Sequence, residues 1–378
     1  MQKDTGASVR IYNLAKGLAA LGNTIRVIMP NEKDAYECIE NIKVYYFRGL
    51  IPNIVLKTIK KLLGVKRFAS LYIYDLLFIS RLCPLIWDSD IVQIEQQTAG
   101  GLLIPFIKIV LKKPVVIDCH DVFQALRVKH TNILRKLLET FSEKLAYKYA
   151  DMILTVSKNE KKCLVSYGVK QHKIKIIANG VDIEAFNPFL DTSLIKDHYD
   201  LRGYYTVIFV GNMEYLPNRE AVQTIASKIA PLIKNEISNT RFLIVGRIPP
   251  NMEFSNLTFT GIVEDVAEFI AASDVAIAPI FGGSGTRLKI LEYFSCGLPV
   301  VSSTVGIEGL DVTNGIHALV EDDLDRFALG VIKILKDKEL GIRLGKNARE
   351  LVVNNYNWKE SAMNLSKVYH KFLGIRKK

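Results

Sequence analysis

Pro279-Ile280-Phe281-Gly282-Gly283-Ser284-Gly285-Thr286-Arg287-Leu288-Lys289-Ile290-Leu291-Glu292-Tyr293-Phe294-Ser295-Cys296-Gly297-Leu298-Pro299-Val300-Val301 reads as a strand end, a glycine loop, a helix, a glycine stop and a second strand. Gly282, Gly283 and Gly285 permit backbone conformations and close approaches that side chains forbid. Ser284 or Thr286 is expected to cap the helix. Free N–H groups at a helix start, with the positive end of its dipole, form an anion site. Arg287 and Lys289 add mobile positive charge there, against the dipole, and a bound pyrophosphate gives them a reason. Gly285, Leu288, Lys289 and Glu292 fall on one helical stripe. A carboxylate two turns below a phosphate cradle can reach the vicinal hydroxyls of a ribose. The plainer reading, a surface pair of Lys289 with Glu292, has the weaker order for a helix, Lys before Glu.

Outward from this run, short β-branched segments alternate with helical ones. Thr24–Met29, Ile91–Glu95, Val115–Asp118 and Met152–Val156 read as buried strands in the first half. Thr206–Val210, Arg241–Val245, Leu257–Thr260, Asp274–Ala278 and Pro299–Ser302 do so in the second. Near-continuous apolar strands between helices imply an α/β fold with parallel, doubly wound sheets. In such sheets ligands bind beyond the carboxyl ends of the strands, so Gly211, Gly246, Gly261 and Pro279 mark the approach.

The 378 residues, 49% of them hydrophobic, suit two domains. The reading places an N-terminal domain at 1–183, a linker at 184–203 and a C-terminal domain at 204–355. The closing segment, 356–378, is helical in pattern and expected to pack back on the first domain. A doubly wound domain opens on a central strand, yet the first periodic helix, Ser8–Leu21, starts almost at Met1. The first N-terminal strand is therefore expected to be missing from this chain.

The formal charge of +11 is uneven. Through Asp182 there are 28 Lys and Arg against 16 Asp and Glu, a net of +12; the remainder has 22 against 23, a net of −1. An anionic partner is expected for the first domain. Five scattered cysteines without a C-x-x-C pair argue against a disulfide framework or a zinc site and for a reducing cytosol. The polar start lacks a signal peptide's apolar segment, and no run of twenty apolar residues appears.

The quoted run resembles the donor-site signature of the family 4 group of retaining glycosyltransferases, in its G-S-G-T-R-L-K subgroup. These are GT-B enzymes, with two Rossmann-like domains facing across a cleft, that use nucleotide-diphospho-sugars. The similarity extends over nearly the whole chain. Gly6 with Val9–Ala20 resembles the N-domain glycine loop and helix, and Asp118-Cys119-His120-Asp121 the His-Asp element. Asn179-Gly180-Val181-Asp182 resembles the loop before the linker, and Gly261–Val266 the segment beside the base. The closing helix with Trp358 resembles the one that crosses back. The resemblance implies that Glu292 holds the ribose and that Arg287 and Lys289 neutralise the diphosphate. Gly283, Ser284, Gly285 and Thr286 would offer main chain to the donor and Val263 main chain to the base. Gly6, Gly211, Asn212, Gly246 and Leu288 complete the expected donor site. Two departures stand out: Ser284 occupies the place of a second glutamate, and an Arg/Lys pair is missing from Gly211–Arg219.

His120, just after a strand, is expected to position the donor sugar, with Asp118 orienting it. Glu95 and Asp121 are acceptor-side candidates, and Asp121 serves equally as a helix cap. Retention is implied, by same-face attack with the donor phosphate as base, so no nucleophile is named. No metal and no cofactor are expected: Asp88-Ser89-Asp90 matches a D-x-D string but precedes its strand. The basic amphipathic segment 51–67 suits an anionic membrane surface, which makes the expected location cytoplasmic and peripheral on the inner face of the membrane. The acceptor is then a glycan or a lipid-linked one. Alternatives are a sugar-nucleotide 2-epimerase of the same fold and a catalytically impaired nucleotide-sugar-binding protein. A nucleic-acid partner is not expected, since no helix-turn-helix, zinc or aromatic-platform signature is present.

Overall fold

The computed structural model describes residues 6–31, 33–48, 76–95, 101, 103–120, 133–248, 252, 254–283 and 286–374. The basic segment 51–67 and Asp121, Ser284 and Gly285 lie outside these residues. The chain divides into two compact units, Met1–Ala178 with Ser361–Lys378, and Asn179–Glu360.

In the first unit, helix α1 (Gly6–Ala20) precedes strands β1 (Ile25–Asn31), β2 (Ala35–Ile39) and β3 (Ile42–Arg48). Helix α2 (Leu76–Trp87) leads to β4 (Val92–Glu95), α3 (Leu103–Ile109) to β5 (Val115–Cys119), and α4 (Ile133–Tyr149) to β6 (Met152–Thr155). Helix α5 (Lys158–Ser166) and β7 (Ile174–Ile176) follow. The seven described strands form two sheets, β1-β3-β2 and β4-β5-β6-β7. The second is parallel throughout, and apolar side chains from α2, α3, α4 and β5 form its core. β2 and β3 make an antiparallel hairpin that apolar runs did not reveal. Its turn, Glu40-Asn41, has positive φ at both residues (46° and 68°), as a two-residue hairpin needs, but lacks the glycine that would have flagged it.

The second unit holds β8 (Tyr205–Val210), β9 (Thr240–Val245), β10 (Thr258–Gly261), β11 (Val275–Ala278), β12 (Val300–Ser302) and β13 (Leu319–Val320). Their order is β10-β9-β8-β11-β12-β13, with every pair parallel. This is the doubly wound order that reverses direction between its first and fourth strands, β8 and β11, and ligands bind at such a reversal. Helices α6 (Ser193–His198), α7 (Leu216–Thr224), α8 (Ala230–Glu236), α9 (Val266–Ala271), α10 (Leu288–Ser295), α11 (Leu324–Lys336) and α12 (Lys338–Asn355) complete it. Residues 184–203 group with this unit and contain α6. The Phe186 carbonyl there accepts from Ser295 Oγ at 2.6 Å. The last helix, α13 (Trp358–Leu373), has its first three residues in the second unit and the rest in the first.

Candidate active site

In the second unit the site gathers at the sheet's reversal. Gly211 follows β8 and Gly246 follows β9. Gly246 has φ +126°, and a Cβ there would stand 2.1 Å from the Gly211 carbonyl oxygen, so two strand ends touch through bare backbone. Helix α10 docks beside them because the hydroxyl of buried Tyr293 accepts from Val210 N–H at 2.7 Å. That contact sets Lys289, one turn earlier, at the mouth of β8. Its Nζ donates to Asn218 Oδ1 at 2.9 Å and lies 4.1 Å from the Phe209 ring centroid.

The helix starts at Leu288, with Arg287 as its N-cap residue in extended conformation (φ −80°, ψ 98°) and no side-chain cap bond. The N-cap position falls on Arg287 and not on Thr286, whereas Ser284 lies outside the described residues. Nor are the two cations mobile. Arg287 is buried and donates from Nη2 to the Gly282 carbonyl at 3.1 Å. Gly283 has φ +92°, and a Cβ there would meet Tyr215 Oη at 2.5 Å and Arg287 Nη2 at 3.2 Å. Glycine is what lets the loop run beneath the phenol of Tyr215.

Burial first, then the charge of Arg287, pushes the Lys289 ammonium down to about 7, with Glu292 opposing. Burial raises the Glu292 carboxyl to about 7, with Lys289 opposing. Lys289 and Glu292 are half-buried beside the buried Arg287, and the partial burial favours the neutral form of each. Thr286 and Leu288 are half-buried beside the loop, and Val263 is half-buried between β10 and α9. Asn212 is exposed; its Oδ1 accepts from Glu214 N–H and its carbonyl from Asn218 Nδ2.

In the first unit, β4 and β5 pair with Glu95 opposite Asp118, which brings both carboxyl ends together. His120 Nε2 lies 2.7 Å from Glu95 Oε2. The expectation that Asp118 orients His120 is corrected. Asp118 lies 4.0 Å from that nitrogen and binds Arg10 of α1 with both oxygens, Nε at 2.8 Å and Nη2 at 3.0 Å. Burial pulls His120 toward its neutral form, but the hydrogen bond to Glu95 and the charges of Asp118 and Glu95 outweigh it, and its pKa is raised. Glu95, Asp118 and His120 are close enough to share a cation. The Arg10 guanidinium is bonded to both Asp118 oxygens. Gly6 is exposed at the start of α1. Asp88 of the D-x-D string pairs with Arg26 at 2.5 Å. Arg10, Gln93, Tyr215, Asn218 and Tyr369 belong to these clusters and were not legible as site residues.

Residues 5–185 match the model of Glycosyltransferase Family 4, and residues 204–337 that of Glycosyl transferases group 1. The chain is a GT-B glycosyltransferase. An uncharacterized glycosyltransferase of Methanocaldococcus jannaschii is 25% identical over 88% of this chain and 85% of its own. The UDP-Gal:alpha-D-GlcNAc-diphosphoundecaprenol alpha-1,3-galactosyltransferase of Escherichia coli is 26% identical over 62% of this chain; the match spans 63% of that relative, just under two thirds. Among solved structures, Anabaena HepE in complex with UDP and glucose superposes with TM-score 0.74 at 14% identity, over 98% of this chain and 97% of that one. Sucrose-phosphate synthase from Thermosynechococcus elongatus does so with TM-score 0.75 at 18% identity, over 98% and 94%. These likenesses carry the GT-B fold, and the sheet order of the glycosyltransferase's second unit agrees with it. No described helix is long and apolar enough to cross a membrane.

Proposed function

We propose that this glycosyltransferase moves a hexose from a nucleotide-diphospho-sugar to a glycan or lipid-linked acceptor, with retention at the anomeric carbon and without a metal ion. One observation carries the reading: at the reversal of the second sheet Arg287 holds the glycine loop through the Gly282 carbonyl while Lys289 stands beside Gly211 and Asn218, with Glu292 one turn along the same helix. Leaving-group stabilisation is the central need of transfer from a diphosphate, and fixed cations with backbone amides supply it. Glu292 binds the ribose hydroxyls, and Gly211, Gly246 and Gly283 bring backbone to the donor. His120 positions the transferred sugar, and the donor phosphate acts as base in same-face attack.

A UDP-sugar donor is favoured by the solved neighbour that holds UDP and glucose. A lipid diphosphate acceptor is favoured by the Escherichia coli relative whose name specifies one. Peripheral attachment to the inner membrane face fits an apolar and basic surface on the first unit: Trp87, Ile109 and Val110 are exposed, and Lys113 Nζ lies 5.9 Å from the Trp87 ring. A thermal-shift screen against UDP-, GDP-, ADP- and CMP-sugars, followed by radiolabel transfer to polyprenyl-diphosphate glycans, tests the reading. Glu292→Ala and Arg287→Ala should each weaken nucleotide affinity; wild-type affinity in both variants rejects the site.

A further inference from the structure

A chain of hydrogen bonds runs from α13 to His120 within the first unit. The Tyr369 hydroxyl donates to Gln93 Oε1. Gln93 Nε2 donates to Glu95 Oε1 at 2.5 Å, and the other Glu95 oxygen meets His120 Nε2 at 2.7 Å. The direction of each bond is forced. An ionised Glu95 only accepts, so Gln93 must turn its amide nitrogen to it. The Gln93 carbonyl then faces Tyr369, whose hydroxyl must donate. By the same rule His120 presents a protonated Nε2 to Glu95. The remaining nitrogen, Nδ1, is buried and has no hydrogen-bond partner among the described residues.

We propose that Tyr369 and Gln93 are positioning residues that act through Glu95 to fix the ring orientation and the Nε2–H tautomer of His120, leaving Nδ1 as the acceptor nitrogen of the ring. This rests on the donor-side reading of His120 given above. The terminal torsion of a glutamate is broad, so a Glu95 carboxylate without Gln93 would turn freely and release the ring. Asp118 is not within hydrogen-bond reach to substitute, since its nearer oxygen lies 4.0 Å from Nε2 and is held by Arg10. Among the described residues the charged groups facing the ring are thus Glu95 from β4, Asp118 from β5 and Arg10 from α1. Tyr369 stays protonated beside them: burial, then the charges of Asp118 and Glu95, holds its hydroxyl well above the ordinary range. Its donor proton is therefore present throughout the working pH range.

The test uses the full chain and its Tyr369→Phe and Gln93→Met variants, with the His120 ring assigned through His120→Gln. Imidazole 15N shifts report the tautomer and the titration midpoint. Above that midpoint the wild type should show Nε2–H alone. Both variants should show mixed tautomers and a midpoint lower by about half a unit or more. With UDP-glucose as the probe donor, kcat should fall about tenfold while KM changes little. A tautomer and midpoint unchanged in both variants overturn the proposal. The spectra need no turnover, so a chain inactive on every donor still decides the relay, separately from the transfer reaction. Should Tyr369→Phe not fold, the spectra of Gln93→Met alone decide between the two outcomes.

Discussion

Lys289 Nζ donates to Asn218 Oδ1 at 2.9 Å, across 71 positions of sequence, while Asn218 Nδ2 donates to the Asn212 carbonyl at 2.9 Å. Asn218 is therefore a bracket between the loop after β8 and the cation on α10. It stands in the segment where an Arg/Lys pair is missing, and it holds the Lys289 side chain. Asn218→Leu should lower nucleotide affinity about tenfold, the weight of one hydrogen bond to a charged group. Calorimetric titration with UDP measures it; unchanged affinity would mean that Lys289 is held by other contacts.

Lys289→Met should stabilise the unliganded protein and weaken UDP binding together. The Lys289 pKa falls to about 7 in the folded state, from an ordinary 10.5. The folded state therefore disfavours the charged form. The resulting stability cost is complete below pH 7 and is relieved as pH rises from about 7 toward 10.5. The gain in stability should accordingly be larger at pH 6 than at pH 9, amounting to about 1–2 kcal/mol at the lower pH. A variant less stable than wild type at pH 6 would contradict this.

UDP binding should take up a proton near pH 8. There Lys289 is mostly neutral without ligand, and a diphosphate restores its charge; Glu292, raised to about 7, is already ionised. Titrations in buffers of different ionisation enthalpy read the uptake directly. It should vanish in Lys289→Met and diminish at pH 6, where the ammonium is already charged.

Arg10→Met should cost about 3–5 kcal/mol of stability, because it strands the Asp118 carboxylate in the core. Both side chains are only 1% exposed. Replacing the pair by Arg10→Met with Asp118→Leu should recover most of the loss, since two apolar groups need no counter-charge. Denaturant melts of the two variants check this; a double variant as unstable as the single one would locate the cost in packing.

Gly246→Ala and Gly211→Ala should fail differently. The first sets a methyl 2.1 Å from a backbone oxygen, which cannot yield. It should cost more than about 3 kcal/mol. The second meets the movable ends of Asn218 and Lys289 at 2.9 Å. It should leave the melting temperature near wild type and reduce UDP affinity, a contrast that paired melting and binding curves would show.

Sequence alone determined five of the six strands of the second unit; the two-residue β13 was not read from it. The runs Thr206–Val210 and Asp274–Ala278 fold as β8 and β11, and the glycine loop follows β11 as its composition requires. Such features are local: strand periodicity and backbone freedom are written in consecutive residues. The β2–β3 hairpin escaped because Glu40-Asn41 carries no glycine. Only the tertiary structure decided who holds whom. Arg10 meets Asp118 across 108 positions, and Tyr369 meets Gln93 across 276. Such partners follow from strand order, register and helix docking, which bring distant side chains to one strand end. The same distinction separates Lys289 as a charge in a string from Lys289 as a half-buried amine over Phe209: its chemistry is set by what surrounds it in space.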